Sequence, residues 1–199
     1  MAKTRPRQGE IQRKTKETDI KLTILLDGTG NNTIETGVPF MDHMLTLFAV
    51  HGFFNLTIKA FGDTEVDDHH TVEDLGICLG QAIKTALGEF HAIRRYGFSS
   101  VPMDETLVRV TLDFSNRPFL HYGVNLPDQK VGDFDTALTR EFLRALVLHA
   151  GLTLHVEMMH GDNTHHILEA IFKALAKALD QATTIEPRAK GPLSSKGSL

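Results

Sequence analysis

Two stretches of the chain repeat one pattern of metal-ligand residues: Asp68-His69-His70-Thr71-Val72-Glu73 and Asn163-Thr164-His165-His166-Ile167-Leu168-Glu169. Each opens a run with the apolar spacing of an amphipathic helix. Residues three and four apart share a helix face, so Glu73 neighbours His69 and His70, and Glu169 neighbours His165 and His166. Consecutive histidines diverge by about 100° around the axis. A pair therefore serves two ions on either side of a helix start more readily than one. A helix N-terminus carries partial positive charge and disfavours imidazolium, so paired histidines there are best explained as neutral ligands. Asp67, Asp68, Asp162 and Asn163 supply acceptors that cap the helix or orient a ligand ring. One His-His-x-x-Glu is explained as well by exposed histidines on a solvated helix start. Two copies in matching contexts favour metal, and predict a duplicated fold that binds two ions, or one ion shared between halves. Cys78 is the single cysteine, so the ligands are nitrogen and oxygen, a set that suits Mn, Fe, Zn, Co or Ni.

Further ligands are expected from the other helix of each half. His43, in Pro39-Phe40-Met41-Asp42-His43-Met44, would alone read as a core histidine; the repeat makes it the first-half candidate. His43 precedes His69 by 26 residues, and the same step back from His165 lands at Thr139. Glu141 is the nearest ligand-capable residue and is taken as the counterpart of His43.

The elements that must position these residues follow from periodicity. Residues 10–17 and 19–26 read as strands, the second alternating through Ile20, Leu22, Ile24 and Leu26. Residues 28–32 read as a turn, 39–50 as a helix stopped by Gly52, 54–61 as a strand and 69–90 as a long helix. Residues 107–114 and 118–124 read as strands, 136–150 as a helix ended by Gly151, 152–159 as a strand and 165–182 as a helix. Each half thus reads strand, strand, helix, strand, helix. That order predicts an α+β fold of two similar halves, residues 1–92 and 93–184, each a mixed sheet with helices on one face. Residues 90–102 join the halves. Residues 185–199 are Pro-, Gly- and Ser-rich and read as a loop.

Bulk properties narrow the function classes. The chain has 199 residues, 41% hydrophobic and 23% charged, ordinary for a soluble globular protein. A net charge of −4 argues against nucleic acid as partner. No apolar run approaches a membrane span. Residues 1–8 are basic without the apolar centre of a signal peptide. One cysteine fits a reducing compartment, and the cytoplasm is expected.

Taken together, these motifs closely resemble imidazoleglycerol-phosphate dehydratases of histidine biosynthesis. The resemblance runs from Arg13-Lys14-Thr15-Lys16-Glu17-Thr18 to Ser194-Ser195-Lys196-Gly197, through Leu26-Asp27-Gly28-Thr29-Gly30, the His43 segment and both His-His-x-x-Glu motifs. It implies halves of the ribosomal-protein-S5-domain-2 type, two Mn²⁺ ions per active site, and a homo-oligomer of 24 subunits with sites between protomers. It implies metal ligands at His43, His69, His70, Glu73, His165, His166 and Glu169. Many relatives carry His where this chain has Glu141, and glutamate also binds manganese. The length leaves no room for the fused phosphatase of some relatives, so a monofunctional enzyme is expected.

The implied reaction removes water from imidazole-glycerol phosphate, a small phosphorylated substrate, to give imidazole-acetol phosphate. Glu17 is the implied general acid/base, with His51 as the alternative. Arg95 and Arg117 match phosphate-binding arginines, whose forked guanidinium suits phosphate oxygens. Lys173, eight residues after His165 on the same helix, completes the phosphate set with Ser194, Ser195 and Lys196, and the tail is expected to order over substrate. Two rival readings use the same ligands: a dinuclear hydrolase or phosphatase, and a metal-storage protein. Storage needs neither Glu17 nor the cations.

Overall fold

The computed structural model describes residues 6–197. Residues 1–5 and 198–199, the outer ends of the expected first half and tail, lie outside the described residues. The first half runs β1 (Gln8–Lys14), β2 (Thr18–Leu25), β3 (Asn32–Glu35), α1 (Pro39–His51), β4 (Asn55–Gly62) and α2 (His69–Leu87). The second runs β5 (Tyr96–Met103), β6 (Thr106–Asp113), β7 (Phe119–Gly123), a short hairpin of β8 (Lys130–Val131) and β9 (Phe134–Asp135), α3 (Leu138–Ala150), β10 (Thr153–His160) and α4 (Thr164–Thr183). Sheet orders are β1-β2-β4-β3 and β5-β6-β10-β7, with the last pair parallel in each. The fold is α+β, two mixed sheets each covered on one face by helices.

Alternation explains which face is covered. Ile20, Leu22 and Ile24 of β2, Leu56 and Ile58 of β4, Val108, Val110 and Leu112 of β6, and Leu154 and Val156 of β10 point inward and are at most 2% exposed. They join the helices in one continuous core. Among the described residues no helix is long and apolar enough to cross a membrane.

Three elements differ from the sequence reading. Residues 32–35, which begin at the last residue of the expected turn and run beyond it, form β3 on the edge of the first sheet. The expected linker contains all but the last residue of β5, an eight-residue edge strand. Its inward residues are Gly97, Ser99 and Val101, and the first two are weak strand formers that conceal the period-two pattern. Gly97 is required there: a Cβ would lie 1.9 Å from the Ala178 carbonyl oxygen of α4. The β8–β9 hairpin was also not anticipated. With β3 and β5 in place, each half reads three strands, helix, strand, helix, so β1 and β2 correspond to β5 and β6.

The helices exchange partners across the halves. α2 packs on β1 and β2 of its own sheet but against α3 of the other half; α4 packs on β5 and β6 but against α1. Gly76 and Gly80, one turn apart on α2, permit the first contact. A Cβ at Gly76 would lie 2.5 Å from the Phe142 carbonyl oxygen, and one at Gly80 2.7 Å from that of Leu146. At the sheet end of α2, buried Asp74 accepts from Thr18 Oγ1 at 2.5 Å and pairs with Arg13, tying the β1–β2 turn to the helix.

A methyl group at Gly76 must push α2 from α3. Gly76→Ala is expected to cost about 1–3 kcal/mol, lowering the thermal midpoint by about 2–4 °C per kcal/mol. An unchanged midpoint in a melting experiment would show that the interface yields freely.

Candidate active site

The two histidine pairs diverge as helical spacing requires. On α2, His69 Nε2 lies 3.6 Å from Glu73, whereas His70 turns to Asp63, whose Oδ2 is 3.0 Å from Nδ1. On α4, His165 Nε2 lies 3.1 Å from Glu169 Oε1, whereas His166 turns to Glu105, with Nδ1 2.7 Å from Oε2. The helix starts are capped as expected in part. Asn163 Oδ1 accepts the His165 and His166 backbone N–H groups, and Asp67 Oδ1 accepts that of His69. Asp68 caps nothing with its side chain.

His43 does not join the histidines of its own half. Its Nε2 is 3.0 Å from Glu169 Oε1, so ligand atoms of His43, His165 and Glu169 all lie within 4.8 Å of one another. His43 therefore meets His165 and Glu169 of the other half, because α1 packs against α4. Glu141 is on α3, the helix that faces α2, and its carboxylate accepts from Arg144 at 3.2 Å. Phe40 and Phe134 stack at 4.8 Å, and the edge-on contact of Phe40 with His165 holds that ring against the β8–β9 hairpin. These aromatics, with His43, Asp68 and His165, line a pocket of about 400 Å³.

Glu169 is 8% exposed. Burial pushes its pKa up, but the Lys173 ammonium, at 2.5 Å from Oε2, and the His43 and His165 rings outweigh it and hold the carboxyl at about 2. Lys173 thus stands beside the histidine cluster in the protomer, apart from the arginines. His51, at the end of α1, has its pKa pushed down, chiefly by burial and then by the charges of Lys173 and Lys177. His70 and His166 are both shifted up, chiefly by hydrogen bonds to Asp63 and Glu105.

Glu17 lies in the β1–β2 turn, with its N–H donating to Thr15 Oγ1 at 3.1 Å and its carbonyl accepting from the Asp63 N–H at 3.2 Å. Its half-exposed carboxylate is 4.0 Å from His70 Nε2. Asp63 and Glu105, which grip the second histidine of each pair, were missed in the sequence. The signal for Glu105 was the repeated Glu-Thr at 17–18 and 105–106, hidden until β5 is recognised.

The remaining cations form a second pocket, of about 370 Å³, lined by Arg95, Ser115, Asn116, Arg117, Ser194, Ser195 and Lys196. Arg95 is 9% exposed. It donates to both Asp113 oxygens, at 2.6 and 2.9 Å, and to the Leu193 carbonyl at 2.7 Å. Three of its five N–H groups are thereby committed. The Leu193 contact anchors the tail. Beyond it Ser194 to Gly197 form a turn, the Lys196 N–H donating to Ser194 Oγ and the Gly197 N–H to the Ser194 carbonyl.

Residues 36–179 match the family model for imidazoleglycerol-phosphate dehydratase. A curated imidazoleglycerol-phosphate dehydratase of Halalkalibacterium halodurans is 62% identical over 193 residues, covering 97% of this chain and 100% of the relative. One from Geobacter sulfurreducens is 57% identical, covering 97% and 99%. The crystal structure of the Staphylococcus aureus dehydratase superposes with a TM-score of 0.81 at 44% identity, covering 89% of this chain and 99% of that one. That of the Pyrococcus furiosus protein, in complex with (S)-C348, gives 0.83 at 39%, covering 95% and 100%. With the histidine cluster and the arginine pocket on a duplicated α+β frame, the chain belongs to the imidazoleglycerol-phosphate dehydratase family.

Proposed function

We propose that the chain converts imidazole-glycerol phosphate to imidazole-acetol phosphate in a manganese-dependent dehydration. The observation that carries this reading is the convergence of His43, His165 and Glu169 from opposite halves. Two imidazoles and an ionised, nearly buried carboxylate form a donor set that fits Mn²⁺. His69, His70, Glu73, Glu141 and His166 are the further ligands in this proposal, and two ions per site are expected from them. Bound there, Mn²⁺ supplies a Lewis acid and a template for the imidazole ring.

The chain's own residues do the rest. Dehydration removes a hydroxyl and a carbon-bound hydrogen as water. Glu17, exposed beside His70 on the β1–β2 turn, carries that proton. Arg95, Arg117, Ser194, Ser195 and Lys196 hold the phosphate by charge-assisted hydrogen bonds. Lys173 neutralises the buried Glu169 in the protomer and takes the role of a phosphate cation only if substrate draws it away.

The arginine pocket and the histidine pocket have no lining residue in common. Arg95 pairs with Asp113 at the far end of β6 from Glu105 and His166, so a site using both pockets is read as built from more than one copy. Phe61, Tyr96, Phe98 and Phe119 stand more than half exposed on the outer sheet faces, which supports self-association. An assembly of 24 copies, placed in the cytoplasm, is part of this proposal.

The test follows imidazole-acetol phosphate formation by protein stripped of metal and then given Mn²⁺. Product should require Mn²⁺ and disappear with chelator. Glu17→Gln should lower kcat by about 10²–10⁴-fold with its metal content unchanged. Full turnover in chelator, or release of inorganic phosphate with the imidazole intact, would refute the reading. Arg117→Ala should lower kcat/KM by about 10–100-fold, mainly through KM; an equal fall in kcat alone would remove Arg117 from phosphate binding.

A further inference from the structure

The turns that lead into the second strand of each sheet carry the same dipeptide, Glu17-Thr18 and Glu105-Thr106. β2 begins at Thr18 and β6 at Thr106, and both threonines are buried. The two glutamates are thus equivalent in the duplicated fold, yet they meet the second histidine of their helix pairs differently. His70 has Nδ1 taken by Asp63 at 3.0 Å, with Glu17 4.0 Å away on the Nε2 side. Asp63 directly follows β4. The residue that directly follows β10 is Gly161, which has no carboxylate to offer. In the second half the turn glutamate fills that place: Glu105 Oε2 lies 2.7 Å from His166 Nδ1.

Glu105 is itself fixed. Its Oε1 accepts from Thr106 Oγ1 at 2.8 Å and from the Asn163 N–H at 3.1 Å, and its carbonyl accepts from His160 Nδ1 at 2.9 Å. Asn163 is the cap of α4 and accepts the His166 N–H at 3.3 Å. Turn, cap and ring are one network. An ionised carboxylate can only accept, so the hydrogen bond to His166 requires Nδ1–H. A neutral imidazole has one N–H, and placing it on Nδ1 leaves the Nε2 lone pair free.

We propose that Glu105 is a positioning residue that holds His166 in the Nδ1–H tautomer and presents Nε2 as a metal ligand, an inference that rests on the manganese reading above. The same turn glutamate has then taken two roles in the two halves: proton carrier as Glu17, orienting group as Glu105. Carboxylates hydrogen-bonded to ligand histidines are worth about 10–100-fold in metal affinity.

The experiment combines ¹⁵N spectra of histidine-labelled, metal-free protein at alkaline pH with Mn²⁺ titration followed by the resonance of the free ion. His166 is assigned by its loss in His166→Asn. The wild-type ring should be the Nδ1–H tautomer; an Nε2–H ring overturns the proposal whatever any variant does. Glu105→Gln keeps an oxygen for Thr106 and Asn163 but turns an amide donor to Nδ1, so the ring proton should move to Nε2. Mn²⁺ should then bind about 10–100-fold more weakly, while the metal-free melting midpoint stays put. A folded Glu105→Gln with wild-type tautomer and affinity overturns the proposal. If the wild-type chain binds no Mn²⁺, the manganese reading fails, and the ring tautomer alone then decides whether Glu105 orients His166.

Discussion

The site depends on one packing constraint: each half lends its shorter helix to the longer helix of the other. Because α1 lies against α4, His43 reaches Glu169 and His165 across the pseudo-repeat. The exchange works only if α2 and α3 also approach closely, which the glycine pair at 76 and 80 allows. Neither half carries the cluster alone, since His43 comes from the first and His165 and Glu169 from the second. Glu169 shows the electrostatic consequence. An isolated buried carboxylate would take up a proton, but two imidazoles and Lys173 keep this one ionised. The result is an ionised carboxylate, paired with Lys173 and flanked by two imidazoles, at the edge of an apolar pocket.

Much of this was legible in the residues. The divergence of His69 from His70 and of His165 from His166 follows from helical geometry, and the Asn163 cap follows from residue type. Central strands with clean alternation, β2, β4, β6 and β10, were found close to their observed limits. Edge strands β3 and β5 were not, because β3 is short and β5 turns Gly97 and Ser99 inward, where close approach of α4 matters more than strand propensity. That omission had a cost at the site, since the repeat was set out of register and Glu105 went unnoticed as the counterpart of Glu17. The partner of His43 was illegible for a different reason: which helices pack together is decided by both halves at once, and no local period records it.

The residues proposed to hold phosphate show a similar division. Arg95, Arg117 and the Ser194-Ser195-Lys196 turn come together in one pocket because Arg95 is locked between Asp113 and the Leu193 carbonyl. The tail is thereby docked by a buried cation, where composition alone pointed to an unstructured loop. Lys173, assigned to the same group from the resemblance, sits with Glu169 in the protomer.

Anomalous diffraction at the manganese edge from Mn²⁺-loaded crystals tests the central claim most directly. The account predicts a peak bounded by His43 Nε2, His165 Nε2 and Glu169, with those atoms within bonding distance of the ion. A manganese-loaded crystal with no peak between these residues, or with manganese only in the acidic groove of Asp67, Asp68 and Asp133, would contradict it.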